Sequence, residues 1–332
     1  MVAQIDREYF RRSPGKAVKR LLSYALFEGR PITTRGRWIN PLVFFLYRVQ
    51  LRLPQWKEVR RPIFILGTGR SGTTVLGVVL SMHRDIGFLN EPKALWHMVH
   101  AEEDLIGSYS QGIARYRLDA EDATEERKRI ARRLYGAYLG LTHSVRVLDK
   151  YPELVFRVPF VKTLFPDAKF LFLVRNGRDT CRSIERWSSR LGRIVQQDVH
   201  DWWGVNDRKW STLVQEIVPE HEDLRHLRSH IADLRGQMDR AAVEWVLSMR
   251  EGLRLLEQYP TDVKMIRYED LCSDAAQTLQ DIASFCDLPS DEKLLEYGRV
   301  TLRPISGVAD VHLDSVIYSA FEKTQRQLGY LP

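Results

Sequence analysis

Short apolar runs alternate with helix-like segments along most of the chain. Five of these runs have the length of a strand: residues 63–66, 85–89, 145–149, 170–174 and 263–268. Apolar runs bounded by turn residues are typical of parallel strands buried on both faces. The pattern therefore predicts an α/β protein with a central, mainly parallel sheet of about five strands between layers of helices. We expect residues 1–332 to form a single domain of this kind.

Two segments lie outside this alternation. Residues 1–60 have a helical pattern with breaks at Pro14-Gly15 and at Gly29-Arg30-Pro31, and we interpret them as an N-terminal extension of the core. Between 187 and about 237 the periodicity weakens and tryptophans concentrate, which favours a helical lid that forms an acceptor pocket. Tryptophans that pack two helices together are an equally good interpretation of that segment.

The first strand leads into a glycine-rich turn and then a helix. The stretch is Ile63-Phe64-Ile65-Leu66-Gly67-Thr68-Gly69-Arg70-Ser71-Gly72-Thr73-Thr74. Glycines allow backbone N–H groups to point inward, and a helix N-terminus adds partial positive charge, so the stretch predicts a phosphate cradle. Gly67 and Gly72 have the spacing of a nucleoside-triphosphatase loop, but Thr73 stands where that loop carries its lysine. The cradle is thus not built for a magnesium triphosphate.

Polar side chains follow the strands at their carboxyl ends. Glu91 comes after the second run, Lys150 after the third and Arg175 after the fourth. Open α/β sheets bind ligands at this edge. Ser183 lies eight residues beyond Arg175, so the guanidinium and the hydroxyl could hold one phosphate together. Taken singly, each of these residues could equally be a surface charge or a helix cap.

These motifs resemble those of sulfotransferases that use 3′-phosphoadenosine 5′-phosphosulfate. Arg70-Ser71-Gly72-Thr73-Thr74 is similar to their 5′-phosphosulfate loop, and Arg175 with Ser183, around Phe-Leu-Val-Arg-Asn-Gly-Arg-Asp, matches their 3′-phosphate motif. Arg267-Tyr268-Glu269-Asp270-Leu271 resembles a segment frequent in the family. The resemblance covers roughly 63–93, 145–187 and 263–271. It implies a P-loop-like three-layer fold and a donor held by the following residues: Gly69, Arg70, Ser71, Gly72, Thr73, Thr74, Arg175, Ser183 and Tyr268.

The resemblance is closer to the bacterial, carbohydrate and tyrosylprotein branches than to the cytosolic phenol and steroid enzymes. Those cytosolic enzymes have lysine in the place of Arg70 and a catalytic histidine without a counterpart here. The tyrosylprotein branch implies Glu91 as general base, with Lys150 and Arg70 stabilising negative charge and no metal required. The family also brings a late basic loop onto the 3′-phosphate, and the candidates for it, Arg299 and Arg303 near Pro304-Ile305-Ser306-Gly307, match no motif.

Composition narrows the class of partner. The chain has 50 Lys and Arg against 43 Asp and Glu, a formal net charge of +7, and its basic residues are spread out, which favours an anionic cofactor over nucleic acid. Its three cysteines, Cys181, Cys272 and Cys286, lack metal or disulfide spacing, which favours a reducing cytoplasm. The oligomeric state is left open.

The longest apolar patch, Pro41 to Tyr47, is too short to span a membrane and lies among arginines. It is interpreted chiefly as a helix packed on the core, with peripheral membrane contact as the alternative.

Three functions follow from these patterns. The leading one is transfer of a sulfuryl group to a hydroxyl, or less readily an amine, of a small-molecule, carbohydrate or natural-product acceptor. The alternatives are a nucleotide kinase-like enzyme and a non-catalytic nucleotide-binding protein.

Overall fold

Eight strands form two sheets in the computed structural model, which describes residues 3–32, 34, 36–195, 197–303 and 311–331. In chain order they are β1 (Ile63–Gly67), β2 (Ile86–Asn90), β3 (Arg146–Lys150), β4 (Lys169–Val174), β5 (Arg193–Val195), β6 (Asp198–Asp201), β7 (Gly204–Val205) and β8 (Val263–Arg267). The larger sheet has the order β2-β3-β1-β4-β8, and every neighbouring pair is parallel. The predicted sheet of about five parallel strands is confirmed.

Helices account for most of the remaining chain. They are α1 (Arg7–Arg12), α2 (Pro14–Leu26), α3 (Asn40–Arg52), α4 (Thr73–Leu80), α5 (Lys93–Val99), α6 (Glu125–Thr142), α7 (Val158–Leu164), α8 (Gly177–Leu191), α9 (Arg208–Thr212), α10 (Glu222–Arg225), α11 (Arg228–Ala232), α12 (Gln237–Gln258), α13 (Tyr268–Ser273), α14 (Ala275–Phe285), α15 (Glu292–Thr301) and α16 (Ser315–Gln327).

The central strands are buried on both faces, as their apolar runs predict. Ile63 and Ile65 of β1 pack into a core with α4, α14 and α15, whereas Phe64 and Leu66 pack into a second core with α5 to α8 and α12. Alternate residues of a strand point to opposite faces of the sheet. The result is a three-layer α/β fold, and the predicted fold class is confirmed.

Two strands start and end one residue later than their apolar runs. β2 ends at Asn90 and β3 at Lys150, and these two residues are paired in the sheet register. Lys150 is therefore the last residue of its strand instead of the first residue beyond it. The side chain of Lys150 is fixed by the sheet and buried.

The segment between Trp187 and Gln237 is helical only in part. It contains the small antiparallel sheet β5-β6-β7, followed by α9, a π-helical turn at Leu213–Ile217, and the short helices α10 and α11. Ile194, Val195 and Val199 are β-branched, which favours strands. Asn206 and Asp207 take left-handed backbone conformations that lead out of the small sheet. The small sheet is thus a difference from the helical lid that the sequence predicts for this segment.

Candidate active site

The loop between β1 and α4 has backbone conformations that favour glycine. The backbone φ is +139° at Gly67 and +102° at Gly72, with Arg70 between them at +68°. The hydroxyl of Ser71 donates to the carbonyl oxygen of Thr68 at 2.6 Å and closes the turn from inside. Because Gly72 precedes α4 and has no side chain, it cannot cap the first N–H groups of that helix. Those groups are the feature of the cradle that attracts an anion.

Two aromatic rings pack directly against glycines of this loop. A Cβ atom at Gly72 would lie 2.3 Å from the ring of Tyr268, and one at Gly69 would lie 2.5 Å from the ring of Trp202. Such distances leave no room for any side chain. Tyr268 thus supports the loop at Gly72, and Trp202 covers it at Gly69.

Three predicted donor-binding residues meet beside the loop. The Arg70 Nε donates to the Ser183 hydroxyl at 3.2 Å, and Arg175 Nη1 donates to the carbonyl oxygen of Arg70 at 3.3 Å. The Arg175 guanidinium also lies over the Tyr268 ring, 4.7 Å from its centroid. Its Nε is buried with no hydrogen-bond partner among the described residues. A buried donor of this kind points to an acceptor that a ligand would supply.

Glu91 and Lys150 form an ion pair at the edge of the sheet. Lys150 Nζ donates to Glu91 Oε1, and the backbone N–H of Glu91 donates to the carbonyl oxygen of Lys150 at 2.7 Å. Glu91 has a left-handed φ of +50°, which turns its side chain away from the direction of β2. The Lys150 side chain is only 2% exposed, whereas that of Glu91 is 35% exposed. The carboxylate is thus the accessible member of the pair.

Lys93 adds a second positive charge beside this carboxylate. Its Nζ lies 3.7 Å from Glu91 Oε2, and its side chain is buried. Burial by itself would raise the pKa of Glu91, but the ammonium groups of Lys150 and Lys93 outweigh it and hold that pKa below its ordinary value. Glu91 is therefore ionised at neutral pH and can accept a proton.

A cavity of about 530 Å³ brings these groups together. Of the predicted site residues, it is lined by Gly69, Arg70, Gly72, Thr73, Thr74, Glu91, Lys150, Arg175 and Ser183. Ser71 and Tyr268 do not line it, because one is buried inside the turn and the other packs behind Gly72. Arg299 lies on α15, and neither it nor Arg303 lines the cavity. Residues 304–307 lie outside the described residues, so the late basic loop stays a prediction.

The segment after Trp187 forms part of the cavity wall. The sequence predicted a lid here but did not show which of its residues line the cavity. Trp187 and Trp202 meet edge to face, 5.2 Å between ring centroids, and both line the cavity. The indole N–H of Trp202 donates to Glu244 at 2.7 Å, and Lys209 Nζ lies 2.5 Å from the same carboxylate. Burial would lower the pKa of Lys209, but Glu244 and other negative neighbours raise it well above its ordinary value. This buried ion pair holds Trp202 over the loop.

The N-terminal extension forms a further part of the wall, which sequence reasoning missed. Tyr24, Glu28 and Arg30 line the cavity, and the Arg30 guanidinium lies 3.5 Å from the centroid of the Tyr24 ring. Glu28 pairs with Arg20 and accepts the N–H of Asn90 at 2.8 Å. The helical pattern of residues 1–60 shows no signal for this wall, because its position depends on contacts with β2.

The model of the sulfotransferase family matches residues 62–235, which is more than half of the chain. The chain therefore belongs to the sulfotransferase family. The matched range contains the glycine loop, Glu91, Lys150, Arg175 and Ser183, and it ends just before α12.

Individual relatives are distant. An uncharacterized protein of Aquifex aeolicus is 25% identical over 286 residues, which cover 82% of this chain and 31% of that protein. A protein-tyrosine sulfotransferase of Drosophila melanogaster is 31% identical over 168 residues, 50% of this chain and 32% of that protein. The chain thus spans about a third of each of these relatives. The sulfotransferase domain of the Synechococcus PCC 7002 olefin synthase is a structural neighbour at 19% identity and a TM-score of 0.49, covering 84% of this chain and 98% of that domain.

Proposed function

We propose that the protein transfers a sulfuryl group from 3′-phosphoadenosine 5′-phosphosulfate to a hydroxyl, or less readily an amine, of a small-molecule, carbohydrate or natural-product acceptor. The observation that carries the proposal is that the Glu91–Lys150 pair and the glycine loop line one cavity. Family membership supports the reaction class.

The residues of the cavity fit this donor. No side chain caps the N–H groups at Thr73 and Thr74, and these groups suit a doubly charged phosphosulfate. The buried Nε of Arg175 has no hydrogen-bond partner among the described residues and would donate to a second phosphate. Ser183 adds a hydroxyl beside Arg70. When bound, the donor would supply an activated sulfuryl group whose leaving group is a phosphate.

Glu91 would act on the acceptor. Its accessible carboxylate takes the proton of the acceptor hydroxyl while that oxygen forms its bond to sulfur. The left-handed backbone at Glu91 and the hydrogen bond from its N–H to Lys150 fix where the carboxylate stands. A base held in place in this way loses little entropy in reaching the reactive arrangement.

Lys150 would act on the leaving group, and its effect changes as the proton moves. In the resting pair the ammonium charge is balanced by Glu91. Once Glu91 is protonated, the pair carries a net positive charge. That charge appears at the moment when the bond from sulfur to the leaving phosphate oxygen breaks and negative charge develops there. Arg70 lines the same cavity and adds a permanent positive charge.

The kinase-like alternative has less support. Thr73 occupies the place where a triphosphatase loop has its lysine, and the cation of this loop is Arg70, three residues earlier. A non-catalytic binding protein would retain the cradle but would have no use for the buried pairing of Lys150 with Glu91.

The experiment that tests the proposal is calorimetric titration with adenosine 3′,5′-bisphosphate, repeated with ATP and magnesium. We expect micromolar binding of the bisphosphate, little binding of ATP, and transfer of labelled sulfate to at least one hydroxyl compound of an acceptor panel. Preference for magnesium ATP would contradict the donor assignment. Bisphosphate binding without turnover on any acceptor would favour the non-catalytic alternative.

Arg175→Ala tests the assignment of the second phosphate in the same titration. We expect its affinity for the bisphosphate to fall by about tenfold or more, because a charge-assisted contact contributes roughly 1.5–3 kcal/mol. Arg182→Ala is the matched control, since Arg182 is an exposed residue of the same helix α8 as Ser183 and does not line the cavity. Equal losses in the two variants would contradict a specific role for Arg175.

A further inference from the structure

The outer face of α3 and its flanks is a stripe of exposed apolar side chains. Trp38 is 83% exposed and Phe45 58% exposed, and Leu42 lies between them. These positions repeat at the spacing that places residues on one face of a helix. Leu53 and Trp56, just beyond the end of α3, are also exposed, and Trp56 is 64% exposed although it touches Gly140. We call these five residues, Trp38, Leu42, Phe45, Leu53 and Trp56, the α3 stripe.

The inner face of α3 already provides what the fold requires. Val43 and Tyr47 are fully buried, and Phe44 packs edge to face on Tyr109 at 5.4 Å between ring centroids. The exposed residues Trp38, Leu42 and Phe45 are therefore not needed to pack α3 on the core. An exposed row of large apolar side chains of this extent marks an interaction surface.

All charged residues in the chain segment that carries the stripe are basic. Residues 29–57 contain Arg30, Arg35, Arg37, Arg48, Arg52 and Lys57 but no Asp or Glu, whereas about four acidic residues would be expected there at the frequency of the whole chain. Arg37, Arg48 and Arg52 are exposed among the stripe residues. A surface in which tryptophan, phenylalanine and leucine alternate with arginine is the chemistry that binds the interface of an anionic membrane.

We propose that the α3 stripe binds peripherally to an anionic lipid bilayer. Its aromatic side chains would lie in the headgroup region, and the neighbouring Arg37, Arg48 and Arg52 would contact lipid phosphates. Within the described residues, no helix is long and apolar enough to cross a bilayer. Membrane contact through α3 is thus contact with one leaflet. This proposal goes beyond the sulfuryl transfer and does not depend on it.

The stripe is linked to the wall of the cavity. The amide side chain of Asn40, the first residue of α3, accepts the N–H of Arg30 at 2.8 Å and donates to the carbonyl oxygen of Arg30 at 2.9 Å. Arg30 lines the cavity. A bilayer at the stripe would therefore lie next to the segment that forms the N-terminal wall.

The test is flotation of the full chain with vesicles of phosphatidylcholine alone and of phosphatidylcholine mixed with phosphatidylglycerol, without donor or acceptor. We expect binding to the mixed vesicles that weakens with added salt. Trp38→Ser with Phe45→Ser, and separately Arg48→Glu with Arg52→Glu, should each reduce the partition coefficient by about tenfold or more. Tyr318→Ser with Lys323→Glu is the matched control, because both are exposed residues of α16.

Three results would overturn the proposal. The first is absence of wild-type binding to either kind of vesicle, and the second is equal binding by the wild type and both stripe variants. The third is a dimer that Trp38→Ser with Phe45→Ser converts to a monomer in sedimentation equilibrium, which would assign the stripe to a second copy of the chain. Bisphosphate affinity, measured on the same variants, should stay unchanged. Unchanged bisphosphate affinity would show that the variants are folded. It would also keep the test of membrane binding separate from the test of the donor assignment.

Discussion

In the proposed reaction, Glu91 and Lys150 would act as one unit, because a proton gained by Glu91 would leave the positive charge of Lys150 unbalanced. The shared hydrogen bond and the buried ammonium make each residue the closest partner of the other. A substitution of Glu91 would therefore also change the charge that the leaving group meets.

Glu91→Gln keeps the size and hydrogen-bonding shape of the side chain and removes the base. We expect the turnover number to fall by on the order of a hundredfold or more, because general base catalysis typically contributes a factor of that size. Affinity for adenosine 3′,5′-bisphosphate should remain close to that of the wild type in calorimetry. Equal turnover of the variant and the wild type would contradict the assignment of Glu91.

The ionisation of Glu91 also predicts how the turnover number depends on pH below neutrality. Although burial raises the pKa of Glu91, Lys150 and Lys93 lower it further, so the carboxylate should stay ionised below the ordinary glutamate value of about 4.3. We expect the turnover number to show no loss due to Glu91 between neutral pH and about pH 5. Because the folded-state pKa is the lower one, the pair stabilises the fold above the unfolded-state pKa, and this contribution is lost as the pH falls through the folded-state pKa. Turnover measured in parallel with circular dichroism checks this, and a base titrating near pH 6 would contradict it.

At the scale of the element, the β1–α4 loop combines two demands on the same glycine. Gly72 has a left-handed backbone, and the Tyr268 ring occupies the place that a Cβ atom would need. A side chain at this position would therefore meet both backbone strain and a clash with the ring, and removing the clash would leave the strain.

Gly72→Ala should abolish measurable bisphosphate binding and lower the midpoint of thermal unfolding. The added methyl group would lie 2.3 Å from the Tyr268 ring, so the loop or α13 must move. Gly15→Ala is the control, since Gly15 lies in α2 with nothing within 4 Å of its Cβ position. That change should be neutral or stabilise the fold by up to about 1 kcal/mol. Normal bisphosphate affinity in Gly72→Ala would contradict the proposed cradle.

The sheet and the meeting of polar residues at its carboxyl edge were predictable from the sequence for a physical reason. Strands buried on both faces need uninterrupted apolar residues, and the residues that end them, such as Glu91 and Arg175, are conspicuous because they are polar. The meeting of Glu91 with Lys150 follows from the parallel register of β2 and β3. The sequence favoured an acceptor pocket formed by the tryptophan-rich segment, but the contact of Trp202 with Gly69 and the wall at Arg30 could not be predicted, because both depend on contacts distant in sequence.

At the scale of the whole molecule, the carboxylate of a buried ion pair within the N-terminal extension, Arg20 with Glu28, also accepts a hydrogen bond from the end of β2. Glu28→Ala would leave Arg20 charged and unpaired and the N–H of Asn90 without its acceptor. We expect the free energy of unfolding in urea to fall by about 3–5 kcal/mol. Glu58→Ala is the control, because Glu58 pairs with Arg60 on the surface and should change stability by less than about 1 kcal/mol. Similar losses in the two variants would contradict a structural role for the buried pair.

The N-terminal wall of the cavity has a consequence for recombination. Tyr24, Glu28 and Arg30 precede the stretch that matches the family, which begins at residue 62 and contains the glycine loop, Glu91 and Lys150. A crossover just upstream of residue 62 would exchange one wall of the cavity and leave the proposed reacting groups in place. The seam has two polar requirements at β2: an oxygen that accepts the N–H of Asn90, as Glu28 does, and a donor to the carbonyl oxygen of Ile86, as Lys16 provides at 2.6 Å. If the proposed function holds, chimaeras that keep both contacts offer a direct route to new acceptor preferences.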